Sequence, residues 1–258
     1  MNTLPSVFLK EFRVGASNFQ IFKFPSLDST NVFLKSNHKL YSDYSVIYTE
    51  NQTSGKGRFD RTWVSAPDKG LTFSIKLPTS NIPQQNWCNI TQLMALSVAL
   101  FLEESNISSS IRWPNDIIVN ECKICGILGE LVQSGSSFHL ILGTGMNVNE
   151  SEEDFRSVDR SATSLFALTG KVISPTLILE KLLSNFSKLF EQTVLSGFES
   201  IVGEISERLY IPDSPVKVIC GDTEYTGMVK GLTSQGRILL DTVNGTVEVL
   251  SGEITSRV

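Results

Sequence analysis

The segment Gly55-Lys56-Gly57-Arg58-Phe59-Asp60-Arg61-Thr62-Trp63 sets three cations among two glycines. Glycine lets backbone N–H groups approach a guest closely, and lysine and arginine surround that guest with charge, so a carboxylate or a phosphate suits such a loop. It is not a Walker loop, because no Gly-Lys-Ser/Thr closes a GxxxxG spacing and no helical pattern opens there. Alone, the run reads equally as a solvated basic surface.

Three later segments carry further chemistry. Arg112-Trp113-Pro114-Asn115-Asp116 delivers an amide and a carboxylate side by side after a rigid proline, although a simple turn has the same composition. Lys123-Ile124-Cys125-Gly126-Ile127-Leu128 starts an apolar strand with a lysine whose ammonium must find an anion if its stem is buried; the bland reading is a lysine guarding a sheet edge. Gly143-Thr144-Gly145-Met146-Asn147-Val148-Asn149 ends an apolar run with glycines that allow close backbone approach and an amide able to read a purine edge. His38 and His139 lie outside all four segments and no serine or cysteine elbow is present, so an enzyme-borne nucleophile is not expected.

The elements that must position these residues follow from patterning. Ser29-Thr30-Asn31 caps a short helix through about Ser36. Strands are expected over Tyr44 to Tyr48 and Gly70 to Leu77, leaving a long connection of roughly Asn51 to Lys69 that contains the basic loop. Trp87 to Glu104 spaces apolar residues by three and four, which predicts an amphipathic helix against a sheet. Asp116 to Asn120, Lys123 to Val132 and Ser137 to Val148 read as successive antiparallel strands, the last with an edge open to a loop or a twin subunit. Thr163 to Leu168, Thr176 to Thr193 and Phe198 to Leu209 read as helices. After Pro212 the pattern changes to short hairpins over Val216-Lys217-Val218, Thr223 to Val229, Arg237 to Leu240 and Thr246 to Leu250. The fold class is therefore α+β, a mixed and mainly antiparallel sheet packed with helices over 1–212, followed by a small β-barrel over 213–258.

Composition bounds the function. A chain of 258 residues with 41% hydrophobic and 19% charged residues can bury a full core. A net charge of -5 argues against a nucleic-acid-coating protein, and no continuous apolar run occupies Met1 to Phe24, so neither a membrane segment nor a signal peptide is expected. Four cysteines are too few for a disulfide scaffold and suit a reducing, cytoplasmic setting. Cys122 and Cys125 are not expected to hold zinc, because no second ligand pair follows and residues three apart on a strand face opposite ways.

Together and in this order, the basic GRGRxxRxW-type loop, the Arg112-Trp113-Pro114-Asn115-Asp116 segment, the lysine before Gly126-Ile127-Leu128 and the Gly143-x-Gly145-x-Asn147 segment resemble the catalytic domain of the biotin protein ligases over about Leu27 to Asn149. Pro215-Val216-Lys217 and Gly252-Glu253-Ile254 resemble that family's small SH3-like domain. The resemblance implies a class II synthetase-like domain that makes biotinyl-AMP from biotin and ATP with Mg²⁺, then transfers biotin to a lysine of a biotin carboxyl carrier protein domain. It implies that Ser29, Thr30 and Gln52 contact the ureido end of biotin, that Gly55, Lys56 and Arg58 meet its carboxylate and the activated phosphate, that Gly126 also contacts biotin, and that Arg58, Arg61, Trp63, Asn115, Asp116, Lys123 and Asn147 surround the nucleotide. Lys123 and Arg58 would be the catalytic cations, with Lys123 also contacting biotin, and the metal ligands stay unassigned. The sequence departs from the family at Lys56, where arginine is commonest, and at Ser54, where alanine is frequent.

Two rival functions share parts of this pattern. Lipoate ligation uses the same adenylation chemistry, but the Arg-rich and Gly-Gly-Gly pattern associated with it is missing. A non-catalytic adenylate-binding module is disfavoured by the intact set of Arg58, Arg61, Asn115 and Lys123. A repressor role is not expected, since the catalytic pattern begins near residue 27, too early for a helix-turn-helix unit, and a monomer or weak homodimer is anticipated. A long, cationic and poorly apolar loop is expected to tighten over its ligand. Hydrogen exchange should slow across Gly55 to Trp63 when biotin and ATP are added; equal protection with and without them would contradict this.

Overall fold

The structure, a computed structural model, describes residues 7–59, 61–156 and 161–257, so Asp60 of the basic loop lies outside the described residues. The described residues begin with two strands that composition did not announce, β1 (Val7–Val14) and β2 (Ser17–Leu27). In β2, Phe19 and Ile21 join the main core on one face, while Phe24 and Leu27 join a smaller apolar cluster with Leu34 and Ile141 on the other. The helix α1 (Thr30–Ser36) follows, with the Ser29 side chain accepting from the Val32 N–H as its N-cap. It connects β2 to β3 (Ser45–Gln52), and these two strands run parallel, as a strand–helix–strand crossover allows.

The connection expected to be structureless holds a small hairpin instead, β4 (Gly55–Lys56) against β5 (Thr62–Trp63). A methyl at Gly55 would overlap the Trp63 carbonyl, so this position needs glycine for the two arms to close. Then come β6 (Leu71–Pro78), a 3₁₀ turn over Gln84–Asn89, and α2 (Ile90–Glu104). The helix α2 is less amphipathic than its spacing suggests. Ile90, Gln92 to Ala99, Phe101 and Leu102 are all buried, because one side meets the sheet and another meets a later helix.

The strands β7 (Ser110–Arg112), β8 (Asp116–Val119), β9 (Cys122–Ser134) and β10 (Ser137–Met146) complete an eight-stranded sheet in the order β1-β2-β3-β6-β10-β9-β8-β7. Only the β2/β3 pair is parallel. β10 is not an edge, contrary to the expectation for Ser137 to Val148: it pairs with β6 on one side and β9 on the other. Its continuous apolar run is what burial on both faces demands.

The helices α3 (Leu165–Thr169), α4 (Pro175–Ser196) and α5 (Glu199–Glu207) follow, with α4 packing on α2. Five strands then form a second, antiparallel sheet: β11 (Val216–Cys220), β12 (Thr223–Leu232), β13 (Ile238–Thr242), β14 (Gly245–Val249) and β15 (Glu253–Arg257), in the order β14-β13-β12-β11-β15. Four were legible as hairpin strands and β15 was not. Among the described residues no pairing of β14 with β15 closes this sheet into a barrel. No helix of the described residues is long and apolar enough to cross a membrane.

The two sheets share a joint. Trp113, 2% exposed, leaves the first sheet to pack with Val216, Val218 and Ile238 of the second, and its indole N–H donates to the Gly236 carbonyl at 3.1 Å. Gln92 of α2 donates to the same carbonyl at 3.0 Å and Asn89 to that of Gln235 at 2.9 Å. Replacing Trp113 with phenylalanine removes a buried hydrogen bond and part of a ring, about 2 kcal/mol together. The urea midpoint should fall accordingly; an unchanged midpoint would show that this joint contributes nothing to stability.

Candidate functional site

One cavity collects most of the residues singled out from the sequence. Ser29, Thr30, Gln52, Lys56, Arg58, Trp63, Asn115, Lys123 and Gly126 line it, drawn from α1, β3, the β4/β5 hairpin, β8's approach and β9. Gly55, Arg61, Asp116 and Asn147, also singled out from the sequence, are not among the residues that line it.

The first cluster presents uncharged side chains to the cavity. The Thr30 N–H donates to Gln52 Oε1 at 2.9 Å, and Ser74 Oγ lies 2.7 Å from Thr30 Oγ1 and 2.6 Å from Asn31 Oδ1. Asn31 Nδ2 donates to Glu130 Oε2 at 2.9 Å, while Lys35 sits 2.5 Å from the other oxygen of that carboxylate. Asn31 was noted only as part of a helix cap, yet it is 3% exposed and its amide lies over Gly143, where a methyl would overlap it. A buried amide beside an invading carbonyl or N–H gives polar recognition without charge.

The second cluster is ionic. Lys123 Nζ lies 2.7 Å from Asp116 Oδ1, and Arg112 Nη2 lies 3.2 Å from Asp116 Oδ2. The hairpin between β8 and β9 makes this possible: Asn120 and Glu121 both take positive φ, 49° and 64°, the geometry of a tight primed turn. A bulge between Ile117 and Ile118 then shifts the register so that Asp116 faces Gly126. Burial alone would push the Asp116 carboxyl up, but Lys123 and Arg112 outweigh it and hold the group below its ordinary value. Lysine at this position is therefore an internal ion-pair partner and not the guard of an open edge.

Arg58 donates to Asn115 Oδ1 at 3.1 Å, and Asn115 is itself fixed by donating to the Ile127 carbonyl at 2.8 Å. Burial pulls the Arg58 guanidinium below its ordinary value, with Arg61 adding to that pull and Glu253 and Asp116 opposing it. An anion entering the cavity would therefore be bound by a partly dehydrated cation. Arg61 points away and pairs with Glu253 of β15, tying the basic hairpin to the second sheet. Asn147 is 4% exposed and donates to the carbonyls of Thr163 at 2.9 Å and Lys123 at 3.4 Å, so here its amide anchors the strand that carries the lysine. His38 and His139 lie outside the cavity wall.

The Trp63 ring lies across Gly126 and Gly145, where a methyl at Gly145 would overlap it, and Lys123 Nζ sits 5.5 Å from the ring centroid. Trp63 Nε1 and Thr144 Oγ1, both at the wall, are buried and have no hydrogen-bond partner among the described residues. The cavity measures about 60 Å³ in this arrangement. Sites for drug-sized ligands are on the order of 300–1,000 Å³, so in this arrangement the cavity is too small for a nucleotide. Gly143, Thr144 and Gly145 thus form the floor of the site, a role their glycines hinted at but did not specify.

The ion cluster carries a pH signature. Asp116 is held below its ordinary 3.8, so its stabilisation is fully present above about pH 4 and is lost as pH falls through the lower folded-state value. Removing one partner of a buried pair costs about 3 kcal/mol. The urea-midpoint gap between the wild type and Asp116→Asn should stay constant from pH 7 to about 5 and shrink below the ordinary carboxylate range; a gap that widens in acid would contradict this.

Comparisons with known proteins agree in direction. Residues 23–147 match the biotin/lipoate A/B protein ligase family, and residues 213–255 match the biotin protein ligase C terminal domain. The chain is 29% identical over 213 residues to the bifunctional ligase/repressor BirA of Bacillus subtilis, covering 81% of this chain and 65% of that protein. It is 28% identical over 217 residues to the biotin--[acetyl-CoA-carboxylase] ligase of Mycobacterium tuberculosis, covering 82% and 79%. Among solved structures, biotin protein ligase from Aquifex aeolicus in complex with biotin and ATP superimposes with a TM-score of 0.81 at 31% identity, over 92% of this chain and 99% of that one. The chain thus spans about two thirds of the length of the Bacillus relative and nearly all of the Aquifex one.

Proposed function

The chain belongs to the biotin protein ligases, and on that premise we propose that it activates the carboxylate of biotin with ATP and passes the acyl group to a lysine of a biotin carboxyl carrier protein domain. The observation that carries this reading is the pairing of two kinds of wall in one cavity. Uncharged groups (Ser29, Thr30, Asn31, Gln52), of which Thr30 is bonded to Gln52 and Asn31 to Ser74, suit a ureido ring, and cations (Lys56, Arg58, Lys123) suit a carboxylate and a phosphate. We divide the chain at about residue 212 into a catalytic domain and an SH3-like domain. Four thiols without disulfides favour a reducing compartment such as the cytoplasm.

In the first step a biotin carboxylate oxygen attacks the α-phosphorus of ATP. An O–P bond forms, the bond to the bridging oxygen breaks, and pyrophosphate leaves with the negative charge. Arg58 and Lys123 meet the charge that develops on the phosphoryl oxygens, and because Asp116 and Asn115 already orient them, little reorganisation is needed at the moment of reaction. Mg²⁺ would come with the nucleotide and would supply charge neutralisation on its phosphates. The chain offers it no cage, since both Asp116 oxygens are engaged and no group of three ligating side chains gathers among the described residues.

In the second step a neutral lysine amine of the acceptor attacks the acyl carbon of biotinyl-AMP. The amide bond forms, the bond to the phosphate oxygen breaks, and AMP leaves while the amine proton passes to AMP or water. The hairpin carrying Lys56, Arg58 and Trp63 closes over the anhydride between the two steps and excludes water. Trp63, displaced from Gly126 and Gly145, would pack on the adenine, with Gly126 giving the acyl chain room beside Lys123.

Lipoate is the nearest competing acid, and a thermal shift with biotin but none with lipoate separates the two. The decisive assay is ATP-dependent transfer of labelled biotin to a carrier-domain lysine. Lys123→Ala should slow biotin-dependent ATP–pyrophosphate exchange by about 10²–10³-fold, the scale of losing one preorganised charge. No transfer by the wild type, or a full exchange rate in Lys123→Ala, would refute the reading.

A further inference from the structure

A second cavity, of about 220 Å³, lies against the first and shares Arg58, Asn115 and Ile127 with it. The two open on opposite faces of the sheet. Gly126 and Gly145 are cross-strand partners, as are Leu128 and Gly143, and they face the first cavity; Leu131 and its partner Leu140, with Gly129, face the second. Its remaining walls come from Trp87 in the 3₁₀ turn before α2, from Thr91 at the start of α2, and from Leu250 in the connection between β14 and β15. Its surface is mainly apolar, with polar groups contributed by Arg58, Asn115, Ser251 and Gln92. Gln92, 2% exposed, spends its amide N–H on Gly236, and its Oε1 is buried with no hydrogen-bond partner among the described residues. A buried carbonyl without a donor costs about 1–3 kcal/mol, which a guest supplying an N–H or O–H would recover.

We propose that this cavity receives the large apolar side chain next to the acceptor lysine, a reading that rests on the transferase function above. The lysine amine must reach the cations at Arg58 and Lys123. Neighbouring side chains of an extended segment point to opposite sides, so when the lysine enters the first cavity the adjacent residue is aimed at the other face, where the second cavity begins at the same Arg58 and Asn115. An apolar cavity on the order of 150 Å³ takes a benzene-sized group, so this one takes a long aliphatic or aromatic side chain. Gln92 Oε1 then accepts a backbone N–H of the acceptor. The arrangement also gives the connection between β14 and β15 a part in acceptor selection, through Leu250.

The test uses the full chain, a purified biotin carboxyl carrier domain, and hydroxylamine as a small nucleophile that consumes biotinyl-AMP without docking. Thr91→Trp fills the cavity from α2. It should keep biotin-dependent pyrophosphate exchange and hydroxylamine turnover within about twofold of wild type and raise the KM for the carrier domain at least tenfold. Aspartate in place of the apolar residue flanking the acceptor lysine should cost the wild type at least tenfold and Thr91→Trp less than twofold. Leu131→Glu, from an exposed position on the same wall, should repeat the KM effect and decides the matter if Thr91→Trp does not fold. An unchanged carrier KM in the folded variants, or equal penalties for the altered carrier on both enzymes, would overturn the pocket while leaving the ligase reading intact. A wild type that supports neither exchange nor transfer would overturn both.

Discussion

An ammonium ion held at the start of an apolar strand needs a carboxylate, and the Lys123–Asp116 pair is the constraint around which this site is built. Neither group is tolerable there alone, because an uncompensated buried charge costs several kcal/mol. The two come together through the left-handed turn at Asn120 and Glu121 and the bulge after Ile117. Arg112 takes the second oxygen of Asp116, and Asn147 and Thr163 brace the backbone of Lys123 from the other side. Four separated stretches of sequence are thereby committed to one position of one cation.

The second sheet extends that commitment over the mouth of the site. Arg61 of the basic hairpin pairs with Glu253, while Arg58, three residues earlier, bonds Asn115 inside the cavity. The hairpin is thus held at one end by the second sheet and at the other by the first. The Trp113 and Gln92 bonds to Gly236 fix how the two sheets meet. Movement of the hairpin to admit a nucleotide exchanges a half-buried ion pair and a tryptophan packed on two glycines for contacts to the ligand, a local cost compared with unfolding either sheet.

Much of this was legible in the sequence because the relevant signals are local. The Ser29 cap, the Asn120-Glu121 turn and the hairpins after Pro215 depend on neighbours within a few residues. What stayed hidden depends on distant partners. β1 and β2 carry lysines and an arginine among their apolar residues, and only pairing with β3 shows that Phe19 and Ile21 are core. β10 reads like a two-faced strand, but whether its sides are covered is decided by β6 and β9, more than 60 residues apart in the case of β6. Asn31 could not be told from a cap residue until Gly143 and Glu130 were seen beside it. Asn147 shows the converse, an amide whose spacing suggested base reading and whose surroundings show it holding carbonyls.

The central claim is that Arg58 and Lys123, preset by Asn115 and Asp116, receive the activated phosphoryl group once Trp63 has left the glycine floor. A crystal structure with a non-hydrolysable sulfamoyl analogue of biotinyl-AMP tests it most directly. The sulfamoyl group is expected within hydrogen-bond reach of both cations, with Lys123 still paired to Asp116 and the Trp63 ring lifted from Gly126 and Gly145. An analogue bound away from Lys123, with Trp63 still lying on Gly145, would contradict it.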